Sequence, residues 1–269
     1  MMIPAGFIAT LITTTFLAVQ TFPHGEPLLL PQAPSVHFTP MPVRVGVDMP
    51  VTLITATAQT MQSVRQHLRI TPPVFISVYS RHNMRFVILP NPAWPAQRHI
   101  AVTWVPTRTS VRFSTDDDRS IGIDLTTQQL IAQRHGITIR TIAVSTGVAP
   151  KWTTPQGTYW IYKKVLDDHM VGGSAQSPDH WDVQHVPYAQ YFTGAVAIHG
   201  AWWNHHFGRP ASHGCVQVPT AEGPDGPTGE PAEAQWLWHF ADLGTPVMVY
   251  GQTPTTDRTR MSMPQASRP

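Results

Sequence analysis

Prolines interrupt this chain along its whole length, and they limit the folds that it can adopt. They make up 27 of its 269 residues, which is about twice the average share of proline in proteins. Proline lacks an amide hydrogen and clashes with the preceding turn of a helix, so closely spaced prolines exclude long helices. The segments between them favour short strands joined by turns. We therefore predict a mainly β protein.

The composition excludes a disordered chain and a nucleic-acid-binding one. Hydrophobic residues account for 42% of the sequence and charged residues for 13%, so the chain can bury one large core or two ordinary ones. A nucleic-acid module concentrates basic residues on one element, whereas the only lysines are Lys151, Lys163 and Lys164. We expect no nucleic acid among the partners.

The N-terminal segment resembles an export signal. Residues 1–22 carry no charge, and apolar runs lie at 7–12 and 16–19, as in the hydrophobic part of such signals. Threonines interrupt the runs and no basic residue precedes them, so a membrane anchor and a misassigned start stay open. A Pro-rich spacer is expected at 23–42. The single cysteine, Cys215, excludes an intrachain disulfide and a lipoprotein signal.

Residues 43–107 form the first predicted domain. Segments with alternating apolar residues and many β-branched side chains predict strands, and they lie at 51–56, 74–79, 84–89 and 100–104. A short polar helix is expected near 62–67. The order of these elements resembles a bacterial immunoglobulin-like (Ig-like) module of cell-surface proteins. The resemblance implies an N-terminal Ig-like β-sandwich.

A polar connection at 106–119 is expected to lead into a second β-rich domain at 119–251. Its predicted strands lie at 121–125, 130–134, 137–145, 159–162, 195–198 and 247–250. One helix is predicted at 232–243, where Trp236, Leu237 and Phe240 share a face and Gly244 can end the helix. The tail at 252–269 is polar, and we expect it to be disordered.

The chemistry of the chain is concentrated around its cysteine. Cys215 ends the run Ser212-His213-Gly214-Cys215, and His199 lies 16 positions earlier. A free thiol is only slightly ionised at neutral pH, so a nucleophilic cysteine needs an imidazole or a cation beside it. Either His199 or His213 can supply that imidazole.

These residues resemble the signature of the L,D-transpeptidase family, the YkuD-type catalytic domain. In that family a histidine is followed after about fifteen residues by Ser/Thr-His-Gly-Cys. Further landmarks occur in the family's order, and they lie at 123–130, 144–147, 154–159, 191–200 and 243–247. The resemblance covers residues 119–251.

The resemblance implies that Cys215 is the nucleophile and that His199 is the base that keeps it as a thiolate. The substrate would be the tetrapeptide stem of peptidoglycan. Cys215 would attack the carbonyl of the third stem residue, expel D-Ala and form a thioester, which the amine of a neighbouring stem would resolve as a 3→3 cross-link. This chemistry requires no metal and no other cofactor.

The family pattern also implies supporting roles around this pair. The Gly200 carbonyl would orient the imidazole of His199. His213 would support the site and, with Gly214 and the Cys215 backbone N–H, face the developing oxyanion. Ser212 belongs to the same supporting run.

Several residues are candidates for contact with the substrate. Trp203 and its neighbour Trp202 lie where the family carries a substrate-covering loop, and they form either a stacking lid or a surface loop pinned by aromatic rings. Tyr191 is a further candidate. Gln217 stands where the family usually has Arg or Asn, so we expect a neutral amide contact there. The segment 222–231 is longer than is usual in the family, and an exposed loop is favoured over a lip at the site.

Other functions remain as alternatives. The same scaffold can act as an L,D-carboxypeptidase, as an enzyme that anchors proteins to peptidoglycan, or, without activity, as a cell-wall-binding module. A zinc hydrolase using His199, His205, His206, His213 and Cys215 is disfavoured, because their spacing fits no zinc pattern. We expect an exported monomer in the cell envelope.

Overall fold

The computed structural model describes residues 36–39, 41–177, 179–220, 222–223, 226–227 and 233–254. The expected export segment at 1–22, most of the spacer at 23–42 and most of the tail at 252–269 lie outside the described residues. Among the described residues, no helix has the length and apolar character needed to cross a bilayer.

Two four-stranded sheets, sheet A and sheet B, form the N-terminal part of the protein. Their strands are β1 His37–Phe38, β2 Arg44–Val45, β3 Val51–Ile54, β4 Leu68–Thr71, β5 Ile76–His82, β6 Arg85–Pro90, β7 His99–Trp104 and β8 Thr109–Thr115. Sheet A has the order β1-β3-β6-β5, and sheet B has the order β2-β8-β7-β4. Helix α1 (Met61–His67) lies between β3 and β4. It begins where the Thr60 side chain accepts a hydrogen bond from the backbone of Ser63, as N-cap residues do.

Sheets A and B enclose one apolar core. Alternating residues of both sheets point into it, including Leu53 and Phe86 from sheet A and Val102 and Phe113 from sheet B. Trp94 is almost fully buried there, and its indole N–H donates to the Met49 carbonyl at 2.7 Å. This arrangement is a β-sandwich. Its assignment to the Ig-like class stays a prediction.

The expected polar connection at 106–119 is largely a strand instead. Residues Thr109–Thr115 form β8, which pairs along its whole length with β7. The segment looks polar because threonines and serines dominate it, but Phe113 and Thr115 face the core side and are buried. Threonine and serine side chains do not oppose a strand when the inward positions can be buried.

Two further sheets and a helix form the C-terminal part. The strands are β9 Arg119–Asp124, β10 Gln129–Arg134, β11 Ile137–Ala143, β12 Gly157–Trp160, β13 Lys163–Gly172, β14 Trp181–Thr193, β15 Val196–Gly200, β16 Val216–Val218, β17 Glu222–Gly223, β18 Gly226–Pro227 and β19 Pro246–Tyr250. Sheet C has the order β11-β10-β9-β19-β12, and sheet D has the order β13-β14-β15-β16. Strands β17 and β18 form a separate small hairpin within the predicted insertion. Helix α2 spans Glu233–Phe240.

The main core of this part lies between sheets C and D and under α2. Leu130 and Val247 of sheet C, Ile198 and Val216 of sheet D, and Leu237 of α2 meet there, all fully buried. Burying each such side chain contributes roughly 1.5–3 kcal/mol. The predictions of a mainly β fold and of one helix in this region are confirmed. The long hairpin β13–β14 was not predicted, because its outer half is polar and exposed.

The N-terminal sandwich contacts the turn between α2 and β19. The Gly46 N–H donates to the Leu243 carbonyl at 2.7 Å, and the Asp48 N–H donates to the Gly244 carbonyl at 3.1 Å. A Cβ on Gly46 would lie 2.2 Å from the Thr245 nitrogen, so only glycine permits this close backbone approach. Arg44 adds an ion pair with Asp242.

Candidate active site

Two neighbouring parallel strands, β15 and β16, bring the predicted catalytic residues together. Ile198 lies opposite Val216, and His199 lies opposite Gln217. Side chains alternate between the faces of a strand, so Ile198 and Val216 enter the main core while His199 and Cys215 project from the other face. We call this the cysteine face of sheet D.

A smaller apolar cluster covers the cysteine face. Buried residues of β13, β14 and β15 form its centre, and Cys215 packs against them together with several partly buried side chains. The central members are Met170, Val186, Ala189 and Ala197, and the partly buried ones include Trp181, Tyr191 and Trp203. The cysteine therefore stands at the edge of an apolar surface that is built mainly by the hairpin β13–β14.

His199 is held in one orientation. Its Nδ1 lies 2.8 Å from the carbonyl oxygen of Gly200. A carbonyl can only accept, so Nδ1 carries the hydrogen and Nε2 keeps a free lone pair. Burial lowers the pKa of His199 to about 4, although the hydrogen bond to Gly200 opposes the effect. His199 is therefore a neutral imidazole at neutral pH, with Nε2 available as a base.

Cys215 is also held in its neutral form. Its residue is partly exposed, and its Sγ lies 3.5 Å from the Ala197 N–H. Burial raises the pKa of the thiol to about 11, against the smaller opposing effect of that N–H. The family resemblance implies a thiolate. The lowered pKa of His199 and the raised pKa of Cys215 instead favour a neutral imidazole and a neutral thiol, because the apolar surroundings penalise both charged forms.

Hydrogen bonds within the motif shape the turn that carries Cys215. The Ser212 hydroxyl donates to the Cys215 carbonyl and accepts from the Gly214 N–H at 3.1 Å. The Gly214 N–H is therefore engaged within the turn, and the expectation that Gly214 faces the oxyanion stays a prediction. Thr154 supports the turn from outside: its hydroxyl accepts from the Gly147 N–H at 2.9 Å and donates to the Gly214 carbonyl at 2.8 Å.

His213 lies between two tryptophans. Its ring meets Trp152 edge-on at 4.5 Å and stacks on Trp181 at 5.8 Å. Burial lowers the pKa of His213, with Asp179 opposing and Lys151 reinforcing the effect. Burial therefore disfavours the charged form of this imidazole, and aromatic contacts fix its position.

The three predicted substrate-binding residues have different surroundings in the structure. Trp203 stacks over His199, and Tyr191 belongs to the cysteine face. Gln217 is only 7% exposed, and its side-chain oxygen accepts from Asn204 at 2.9 Å. Asn204 also donates to Ser145, so the amide of Gln217 serves an internal network and is largely withdrawn from the surface.

Several residues of the site were not predicted. Trp152, Trp181 and Asn204 reach the motif from loops and from the hairpin, and nothing in their local sequence marks them. Thr154 was detectable, since it opens the landmark at 154–159. No group of three His, Cys, Asp or Glu side chains in the described part of the chain is arranged to hold a metal ion.

In this mainly β fold, His199 of β15 and Cys215 of the Ser-His-Gly-Cys turn project from one face of sheet D. The model of the YkuD family, the L,D-transpeptidase catalytic domain, matches residues 118–249. This part of the chain belongs to that family and is an L,D-transpeptidase catalytic domain. A search of curated protein sequences gives no match.

Solved L,D-transpeptidases share the fold. An L,D-transpeptidase from Mycobacterium smegmatis has a TM-score of 0.66 and 24% identity, over 81% of this chain and 100% of that chain. LdtMt1 in complex with imipenem has a TM-score of 0.66 and 24% identity, over 81% of this chain and 99% of that chain. L,D-transpeptidase 3 from Mycobacterium tuberculosis, in complex with a faropenem-derived adduct, has a TM-score of 0.62 and 21% identity, over 77% of this chain and 93% of that chain. These matches extend beyond the catalytic domain into the N-terminal sandwich.

Proposed function

We propose that this protein is a peptidoglycan L,D-transpeptidase that forms 3→3 cross-links through a thioester on Cys215. The observation that carries the proposal is that His199 of β15 and Cys215, the residue before β16, project from one face of these neighbouring strands, with Nδ1 of His199 fixed by the Gly200 carbonyl at 2.8 Å. The family membership of residues 118–249 supplies the substrate class.

The first half-reaction acylates the enzyme. The free Nε2 of His199 removes the thiol proton as Sγ attacks the carbonyl carbon of the third stem residue. The bond to the terminal D-Ala then breaks, and the imidazolium returns the proton to the departing amine. The proton transfer accompanies the attack, because burial favours the neutral thiol and the neutral imidazole before substrate arrives.

The second half-reaction transfers the acyl group. The acceptor amine gives a proton to Nε2 of His199 and attacks the thioester carbon. The C–S bond breaks, and the sulfur recovers a proton from the imidazolium. The Cys215 backbone N–H is the proposed donor to the oxyanion in both halves, since the Gly214 N–H is engaged by Ser212.

The substrate class also supports a location outside the cytoplasmic membrane. Peptidoglycan stems are cross-linked there, so we propose that the protein is exported to the cell envelope. Fusing residues 1–30 to a reporter tests this part: an exported reporter is expected, and a reporter retained in the cytoplasm would contradict it.

Mass spectrometry of a disaccharide-tetrapeptide incubated with the enzyme tests the function. A dimer that lacks one D-Ala is expected with the wild-type enzyme and none with Cys215→Ala. Loss of D-Ala with gain of water and no dimer would identify an L,D-carboxypeptidase instead. Dimer formation by Cys215→Ala would overturn the role of the cysteine, and an unchanged substrate in all samples would favour a different acyl donor or a wall-binding module.

A further inference from the structure

The hairpin β13–β14 carries one carboxylate that differs from the others. Asp179 forms an ion pair with Lys151, and Asp167 and Asp182 each contact a histidine ring, His185 and His169 respectively. Asp168 has no Lys, Arg or His side chain as a partner among the described residues. Its contacts are the backbone N–H of His169 and the hydroxyl of Tyr191, which donates to Oδ2 at 2.6 Å.

This unpaired carboxylate lies beside the reacting groups. Its partner Tyr191 packs on the cysteine face with Cys215. The negative charge of Asp168 acts on the imidazole of His199, whose pKa it raises against the larger effect of burial. Burial raises the pKa of Tyr191, and Asp168 and Cys215 add to the rise. Asp168, Tyr191, His199 and Cys215 therefore form one electrostatic neighbourhood.

A carboxylate near Cys215 does not help the cysteine to act as a nucleophile. A negative charge near Cys215 opposes formation of a thiolate, and a cysteine nucleophile is ordinarily activated by a cation. Lys163, whose Nζ lies 4.8 Å from the centre of the Tyr191 ring, forms no ion pair with Asp168. The negative charge of Asp168 would be favourable if a cation bound beside it during the reaction.

The proposed reaction supplies such a cation. An amine acceptor is protonated at neutral pH, and it must reach the thioester before it loses its proton to His199. We propose that Asp168 and Tyr191 form a binding site for the ammonium group of the acceptor stem. This inference rests on the proposed function, and it concerns the second half-reaction only.

The site would hold the ammonium without blocking its deprotonation. The free oxygen lone pairs of Asp168 accept from the ammonium, and the hydroxyl of Tyr191 fixes the orientation of the carboxylate. One ammonium proton passes to Nε2 of His199, which has been neutral since D-Ala left, and from there to solvent water. The neutral amine then attacks the thioester and gives a second proton to Nε2, the C–S bond breaks, and the imidazolium returns that proton to sulfur. No further reactant is required.

Asp168→Asn tests the inference, with Asp182→Asn as the matched control. Asp182 is on the same hairpin and pairs with His169. Its neighbours Trp181 and Val183 both contact the cysteine face, so Asp182 points away from it. Both variants lose one carboxylate charge from the hairpin, but only Asp168→Asn loses it next to Tyr191.

The donor is a disaccharide-tetrapeptide at fixed concentration, and the acceptor is a disaccharide-tripeptide, which lacks D-Ala and cannot act as donor. Hydroxylamine, a nucleophile that is uncharged at neutral pH, is used in a parallel series. For Asp168→Asn we expect the half-saturating tripeptide concentration to rise about tenfold or more, the effect of losing a charge-assisted hydrogen bond. Hydroxamate formation should fall far less than cross-linking to the tripeptide, because hydroxylamine carries no charge for Asp168 to bind.

Other outcomes contradict the inference in distinct ways. Equal losses with the tripeptide and with hydroxylamine would mean that Asp168 acts on His199 or on the fold. Unchanged tripeptide dependence would mean that Asp168 does not bind the acceptor, and so would an equal effect of Asp182→Asn. If the wild-type enzyme released no D-Ala at all, the proposed function itself would fail, and this inference with it.

Discussion

The indole ring of Trp203 lies over the imidazole of His199, with the ring centroids 5.8 Å apart and the planes inclined by 30°. Trp202 meets Trp203 edge-on at 5.2 Å and donates its own N–H to the carbonyl of His185. The loop is thereby pinned to the hairpin β13–β14, and Trp203 shields the base from one side. This geometry accommodates both a lid over the substrate and a fixed cover for the histidine.

Replacing Trp203 with Ala should reduce turnover more than stability. We expect a loss of tenfold or more in kcat/KM for D-Ala release, equivalent to about 1.4 kcal/mol, because the imidazole loses its stacked partner. The free energy of unfolding should fall by only about 1 kcal/mol, since Trp203 is partly exposed. Trp203→Phe, which keeps an aromatic ring, is the control, and parallel kinetics and urea unfolding are the measurements. Proportionate losses of activity and stability would exclude the lid.

The reaction of Cys215 with iodoacetamide should depend steeply on pH. Burial raises the pKa of this thiol to about 11, so the thiolate fraction should increase about tenfold for each pH unit from neutrality upwards. Because the chain has one cysteine, mass spectrometry of the alkylated protein follows this site alone. A rate already at its plateau near pH 6 would instead show a standing thiolate–imidazolium pair.

Thr154 should matter to activity although it does not touch the nucleophile. Its hydroxyl joins the Gly147 N–H to the Gly214 carbonyl, and all three groups are buried. Thr154→Val removes the bridge and leaves both backbone groups unpaired, which should cost about 1–3 kcal/mol for each. Thr154→Ser keeps the hydroxyl and should stay close to wild type. Thermal unfolding and D-Ala release check this, and a valine variant as active and stable as the serine variant would contradict it.

The two central residues of the site could be predicted because their signal is local. Cys215 and His199 stand in short motifs that mark them as candidates, although no strand was predicted at 216–218, where β16 follows Cys215. The orientation of His199 follows from its own neighbour, Gly200. Each of these relationships is a property of a few consecutive residues.

The surroundings of the site could not be predicted, because long-range packing creates them. Trp181 reaches His213 only because β14 continues far beyond the apolar part of its sequence, and β13–β14 has too many polar residues to show as a hairpin. The raised pKa of the Cys215 thiol could not be predicted for the same reason, because burial by side chains distant in the sequence causes it. Likewise, only the structure shows that Asp168, unlike the other aspartates of the hairpin, has no Lys, Arg or His partner among the described residues.

A pair of adjacent aspartates at the junction between the two parts should respond oppositely to pH. Asp116 is 2% exposed, and its Oδ2 has no hydrogen-bond partner among the described residues. Burial raises its pKa to about 6, with the Arg119 N–H opposing. Burial also acts to raise the pKa of Asp117, but Arg119 and Arg134 outweigh it and hold that pKa below its usual value.

The sign of each effect follows from proton binding. Between about pH 4 and 6 the folded state binds more protons at Asp116 than the unfolded state does, so this group lowers the free energy of unfolding as the pH rises. Asp116→Asn removes this decrease in the free energy of unfolding at rising pH. Relative to wild type, its stability should increase by on the order of 1–2 kcal/mol from pH 4.5 to pH 7.5.

Asp117→Asn should behave in the opposite way. The folded-state pKa of Asp117 is depressed, so its stabilising ion pairs are present above the unfolded-state pKa and are lost as the pH falls. The variant should be less stable than wild type at neutral pH and should approach it in acid. His199, whose folded-state pKa is also depressed, titrates in this range in all three proteins, so its contribution cancels in the differences. Urea unfolding of the three proteins across this pH range measures both slopes, and slopes of the same sign would refute the assignment of a buried, unpaired carboxylate to Asp116.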